Sequence, residues 1–171
     1  DAIILAGGTS LNYFTGIRWG NSERLTAVVI PKVGNPYVVT PAFEEDRTRE
    51  QLAGGPVEHT DVAIWQEDES PFERVATGLK ERGIAGGRIG IEETSKFVFA
   101  DSIAGAAPAM KIVSATPVVA GCRMIKSTHE LELMRVASQA TLKCYAAVFK
   151  AVKAGMTQNV GSALTHAGYT R

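Results

Sequence analysis

The chain has 171 residues, of which 45% are hydrophobic and 21% are charged, a composition typical of a soluble globular protein with one domain or one domain and an appendage. Eighteen basic residues balance eighteen acidic ones, which argues against nucleic acid or an anionic membrane surface as a partner. No apolar run approaches the roughly 20 residues of a membrane span, so no membrane partner is expected. Cys122 and Cys144 lack metal-ligand spacing, and such thiols predict a reduced, cytoplasmic setting.

The first part of the chain predicts three strands and the start of a helix. The continuous apolar run Ala2–Ala6 is typical of a strand that is buried on both faces. Leu25–Ile30 and Tyr37–Val39 flank a turn that contains two prolines and a glycine, so they are expected to form a hairpin. Thr40 is then predicted to cap a helix that has Pro41 at its first position.

Strands and helices alternate in the next part of the chain. The predicted strands are Val62–Trp65, Arg88–Ile91 and Lys111–Ser114. One predicted helix starts at Ser70-Pro71-Phe72-Glu73, which combines a capping box with proline at the first helical position, and another starts at Phe97. This alternation after an early hairpin predicts an α/β domain with a mixed sheet over residues 1–122.

A second helical region follows a predicted domain boundary near Arg123. Ser127-Thr128-His129-Glu130 is a capping box, after which apolar residues recur at helical spacing for about seven turns. Gly155 is expected to end this helix, and Thr157 is expected to cap a further one. A long helix with an apolar stripe needs a partner to cover it, so residues 123–171 are expected to be the incomplete beginning of a larger domain.

A glycine pair, Gly7-Gly8, follows the first strand, at a position where loops of α/β sheets often bind ligands. Glycines there let a backbone approach a phosphate, which keeps a nucleotide-binding enzyme among the alternatives. Leu11 and Asn12 stand where a further glycine and a basic residue would be expected, and no P-loop lysine is present. A tight turn between a strand and a helix is therefore the favoured interpretation.

The side chains that usually carry catalysis are scattered along the sequence. No two of the histidines His59, His129 and His166 share a short spacing with a carboxylate that would make a metal site, so each is interpreted as a surface histidine. The acidic runs Glu67–Glu69 and Glu92-Glu93 suit a hard cation, but solvated flanks of secondary structure are the favoured interpretation. No serine lies in a nucleophile elbow, so covalent catalysis has little support.

Arg18, Trp19 and Arg24 lie in an irregular stretch before the second strand. An aromatic residue flanked by arginines on a loop is typical of a binding surface, because these side chains serve as interface anchors and as clamps for carboxylates. The alternative interpretation is that Trp19 packs against the core and that Arg24 pairs with Glu23 or with another nearby acid. The sequence leaves both interpretations open.

Several short segments, taken in order, resemble the aminopeptidase P, prolidase and creatinase family, specifically the bacterial Xaa-Pro peptidases. Each segment is weakly specific, but the ordered set covers nearly the whole chain. The segments are Asn12-Tyr13-Phe14-Thr15-Gly16, Ser22-Glu23-Arg24-Leu25, Pro41-Ala42-Phe43-Glu44-Glu45-Asp46, Trp65-Gln66-Glu67-Asp68-Glu69, Ile89-Gly90-Ile91-Glu92, Arg123-Met124-Ile125-Lys126-Ser127, Glu130-Leu131-Glu132-Leu133-Met134-Arg135 and Ala154-Gly155-Met156-Thr157.

The resemblance implies a creatinase-type N-terminal domain with helices on both faces of a mixed sheet, followed by the truncated α-helical start of a pita-bread domain. It also implies a hydrolase that cleaves the peptide bond before proline with two divalent metal ions, Mn, Co or Zn, held by two Asp, one His and two Glu. In the family those ligands lie downstream of the Lys126-Ser127 seam. No catalytic residue, metal ligand or bound cofactor is therefore assigned to this chain, which is predicted to be inactive alone.

The resemblance further implies partners and a role for the early loop. The expected partners are a proline-containing peptide and further copies of the chain, in a homodimer or a higher homo-oligomer. Arg24 is expected to contact the carboxylate of the substrate, with Arg18 and Trp19 nearby. Two alternatives remain: a non-catalytic dimerisation module with the same fold, and a nucleotide-binding enzyme that uses the Gly7-Gly8 loop.

Overall fold

The computed structural model describes residues 1–169, with the side chain of Tyr169 left out. The chain divides into two compact units, Asp1–Cys122 and Arg123–Arg171, which are described separately below.

The first unit contains a six-stranded sheet in the order β4-β3-β2-β1-β5-β6. Only β2 runs against its neighbours, whereas all other pairs are parallel, so the sheet is mixed as the sequence predicts. The hairpin of β2 and β3 is also confirmed. The strands are β1 (Ala2–Ala6), β2 (Ala27–Pro31), β3 (Tyr37–Pro41), β4 (Asp61–Trp65), β5 (Gly87–Ile91) and β6 (Met110–Ser114).

Helices cover both faces of this sheet, which confirms the predicted architecture. The helices are α1 (Thr9–Thr15), α2 (Glu45–Leu52), α3 (Pro71–Glu81), α4 (Phe97–Ala106) and α5 (Thr116–Met124). On one face, Val75 of α3 and Ile103 of α4 join the apolar side chains of the strands in one buried cluster. On the other face, Leu11, Leu52 and Val119 of α1, α2 and α5 form a second cluster. Burial on both faces explains the continuous apolar run of β1.

The predicted helix start at Thr40 is wrong, because β3 continues through Pro41. Pro41 lies opposite Trp65 in the parallel ladder, and a 3₁₀ turn at Ala42–Glu44 precedes α2. The Thr40 hydroxyl is fully buried and lies 3.2 Å from the hydroxyl of Thr26, and it accepts a hydrogen bond of 3.3 Å from Thr48. Thr40 therefore satisfies polar groups inside the core instead of capping a helix.

Tyr37 is the largest fully buried side chain, at 1% exposure. Its hydroxyl donates a hydrogen bond of 2.6 Å to the carbonyl of Val75, and the guanidinium of Arg82 lies 4.3 Å from the centre of its ring. Arg82 also donates to Asp61 at 2.6 Å, which ties the end of α3 to the start of β4. A Cβ on Gly78 would overlap the ring, so glycine allows α3 to approach β3 closely.

The second unit contains α6 (Thr128–Ala151) and α7 (Gln158–Tyr169). The predicted capping box is confirmed, since the Ser127 hydroxyl and the Glu130 carboxylate each accept a backbone N–H of the other residue. The predicted stop at Gly155 is wrong, because α6 ends at Ala151 and Val152 is already extended. Gly155 instead takes the left-handed conformation, with φ of 89°, in the connection to α7.

Candidate functional site

Several of the segments that the sequence indicates as candidate functional segments lie at the carboxyl edge of the sheet. The parallel strands β1, β3, β4, β5 and β6 all end at this edge, and antiparallel β2 begins there. Open α/β sheets usually bind ligands outside the carboxyl ends of their strands. The segments at this edge are Gly7-Gly8, Arg24–Thr26, Ala42–Glu44, Gln66–Glu69 and Glu92-Glu93.

Arg24 is held by two carboxylates at this edge. Its Nε and Nη2 donate to the two carboxylate oxygens of Glu67 at 2.9 and 3.0 Å, and its Nη1 donates to Glu23 at 2.9 Å. The guanidinium also lies 5.6 Å from the centre of the Phe43 ring. The hydrogen bonds from Arg24 lower the pKa of Glu67, and those to Glu67 are the main cause of a raised pKa for Arg24. The pairing alternative from the sequence is therefore present in the structure.

Trp19 is half-buried and has a packing role as well as an exposed side. Its indole packs against the buried cluster that contains Leu11 and Ile17. The guanidinium of Arg47 lies 4.4 Å from the centre of the indole, which is within the range of a cation–π contact. Arg47 in turn pairs with Glu44 at 3.6 Å, three residues earlier in the chain. The indole is thus fixed by contacts from the core and from α2.

Arg18 differs from Arg24 because its guanidinium makes no hydrogen bond or ion pair with residues 1–169. Its backbone N–H donates a hydrogen bond of 2.5 Å to the side-chain oxygen of Gln51, at the end of α2. The residue is exposed, and within residues 1–169 its guanidinium has no hydrogen bond or ion pair. The main chain at Arg18 is therefore anchored while the charged end of its side chain is available to a ligand.

The three predicted substrate-binding residues all contact one segment, Phe43–Gln51, which we name the backing segment. Phe43 contacts Arg24, Arg47 contacts Trp19, and Gln51 contacts the backbone of Arg18. No local sequence pattern indicates these partners, because the residues lie 19 to 33 positions away from those they hold. The only sequence signal was the resemblance of residues 41–46 to the family pattern.

The Gly7-Gly8 turn is explained by packing. A Cβ on Gly7 would overlap the carbonyl oxygen of Gly20 and lie 2.9 Å from its carbonyl carbon. Gly8 has φ of 152° and ψ of −170°, a backbone conformation that suits glycine. These two requirements account for both glycines as parts of a tight turn into α1, without a phosphate.

No metal site is assembled among the described residues. Within residues 1–169, no three His, Cys, Asp or Glu side chains are grouped so that they could hold an ion. His59, His129 and His166 are exposed, and Glu93 accepts a hydrogen bond from the hydroxyl of Thr116. In the same part of the chain, no helix is long and apolar enough to cross a membrane.

The mixed sheet, its two helical layers and the loops at its carboxyl edge define an α/β domain of the creatinase type. The Creatinase/Prolidase N-terminal domain model matches residues 1–125. The chain therefore belongs to the Creatinase/Prolidase N-terminal domain family, as the ordered segments of its sequence predict.

Named relatives extend this likeness beyond the matched domain. An uncharacterized peptidase of Schizosaccharomyces pombe is 28% identical over 170 residues, which is 92% of this chain and 36% of that protein. The probable dipeptidase PepE of Mycobacterium tuberculosis is 26% identical, over 91% of this chain and 40% of that protein. The crystal structure of dipeptidase PepE from Mycobacterium ulcerans has the same fold, with a TM-score of 0.85 and 24% identity, over 99% of this chain and 44% of that one.

The chain thus spans less than half the length of these relatives.

Proposed function

We propose that this chain is the assembly and substrate-recognition part of a metal-dependent Xaa-Pro dipeptidase or aminopeptidase, which hydrolyses the peptide bond before proline. The observation that carries the proposal is the family match over residues 1–125 together with a relative described as a probable dipeptidase. The proposed setting is the cytoplasm, and the proposed assembly is a homodimer or a larger homo-oligomer.

The proposed catalytic centre lies outside the described residues. The acidic and histidine side chains within residues 1–169 do not fit a dinuclear metal site, because no three of them are grouped. The proposal therefore assigns Mn, Co or Zn to another part of the polypeptide and gives no catalytic or metal-binding role to any residue here. For the same reason, residues 1–171 are proposed to be inactive alone.

The recognition role is supported by the arrangement at the carboxyl edge. Arg18, Trp19 and Arg24 share the backing segment, so the loop that carries them is held at several points before any peptide binds. A loop that is already ordered loses less conformational entropy on binding, which favours affinity. Arginine is also well suited to the carboxylate of a short peptide because its N–H groups match two carboxylate oxygens.

The activity is tested by comparing the complete gene product with a protein that contains residues 1–171 alone. Both are assayed on Xaa-Pro dipeptides with added Mn, Co or Zn, with matched Xaa-Ala dipeptides and a chelator as controls. We expect the complete product to cleave only the proline peptides and to lose this activity when the chelator is added. We expect the protein that contains residues 1–171 alone to be inactive. Cleavage by residues 1–171 alone would overturn the assignment of the metal centre to another region.

The assembly is tested on the same two proteins by size-exclusion chromatography with light scattering. We expect the complete product to have at least twice its monomer mass. A monomer at every concentration would remove the assembly role and leave the peptidase proposal standing on activity alone. A stable dimer of residues 1–171, coupled with an inactive complete product, would instead support the non-catalytic dimerisation module.

A further inference from the structure

We draw no further inference here: the strongest candidate, the apolar groove that Ile3 of β1, Ile30 of β2 and Val118 of α5 line on one face of the sheet, carries no proposal because nothing in the structure shows what covers it.

Discussion

The two units of the chain differ in how far they bury large apolar side chains. In the first unit, Tyr37 is 1% exposed and lies in a core that includes residues from several strands and helices. In the second unit, Tyr145 is 60% exposed and Phe149 is 86% exposed, although both lie on a long, well-capped helix. The apolar spacing after Ser127 therefore predicts a helix, but it does not indicate how much of that helix is covered in a given chain.

The second unit is nevertheless closely packed at Cys144. The thiol of Cys144 is buried and donates a weak hydrogen bond of 3.5 Å to the carbonyl of Thr165. A Cβ on Gly168 would lie 2.6 Å from the sulfur of Cys144, so glycine brings α7 close to α6. The contrast with the first unit is thus one of extent, since Cys144 is the one buried residue between positions 123 and 168, whereas the first unit has a buried cluster on each face of its sheet.

The largest expected effect comes from truncating the same residue type in each unit. Tyr37→Ala removes a buried ring and its hydrogen bond to Val75, and should lower the free energy of unfolding by about 3–5 kcal/mol. Tyr145→Ala removes an exposed ring and should change it by at most about 0.5 kcal/mol. Urea unfolding followed by circular dichroism measures both, and equal losses would contradict the difference between the units.

A smaller effect, of opposite sign in the two units, is expected from adding one methyl group. Gly7→Ala places a carbon against the backbone of Gly20 and should destabilise the first unit by about 1–3 kcal/mol. Gly161→Ala adds a carbon to α7 where no atom lies within 4 Å, and should stabilise it by about 0.5–1 kcal/mol. Thermal unfolding shows whether each variant is more or less stable than the wild type. Stabilisation by Gly7→Ala would show that the turn tolerates a side chain.

Alkaline pH should weaken the first unit through Tyr37. Burial raises the pKa of its phenol well above the ordinary value of 10.0. The full stabilisation is therefore present below pH 10.0 and falls by about 1.4 kcal/mol per pH unit above it, because the unfolded chain ionises there while the folded chain does not. Urea unfolding at several pH values above 10.0 measures how the free energy of unfolding changes with pH. Tyr37→Phe has no phenol to ionise, so its free energy of unfolding should not show this fall. An equal fall in the wild type and in Tyr37→Phe would exclude Tyr37 as the cause.

The smallest effect is expected at the exposed pair of Arg24 and Glu67, where solvent screens the charges. Since Arg24 lowers the pKa of Glu67, the pair should persist above pH 4.5, the ordinary value, and be lost as pH falls through the lowered pKa. The Nε–H signal of Arg24 in nuclear magnetic resonance should shift over that range, and Glu67→Gln should remove the transition. Asp68→Asn is the control, and a transition that survives in Glu67→Gln would assign it to another acid.

Much of the fold could be predicted because its signals are local. The bounds of α4 agree with the expected start at Phe97, and the capping box at Ser127 places the first turn of α6. The errors occur where tertiary pairing overrides such a signal. Thr40-Pro41 has the pattern of a helix start, yet the ladder to β4 and the buried hydroxyl contacts of Thr40 extend the strand.

The sequence indicates which residues belong to the candidate site, but it does not indicate how these residues contact one another. A loop with Arg18, Trp19 and Arg24 is visible in the sequence, and so is the acidic run at Glu67. Their pairing depends on the start of β2 and the end of β4 reaching the same edge of the sheet, which requires the strand order. The anchoring of Arg18 by Gln51 likewise depends on α2 lying beneath the loop, and no local pattern indicates it.

The positions of the two tryptophans have a practical consequence for spectroscopy. Trp19 and Trp65 are the only tryptophans of the chain, and both lie in the first unit. Trp65 is 6% exposed and its indole N–H donates to the carbonyl of Leu25 at 3.2 Å, whereas Trp19 is half-buried beneath a guanidinium. Intrinsic fluorescence of the intact chain therefore reports on this unit from two dissimilar environments, one inside the core and one in the loop between α1 and β2.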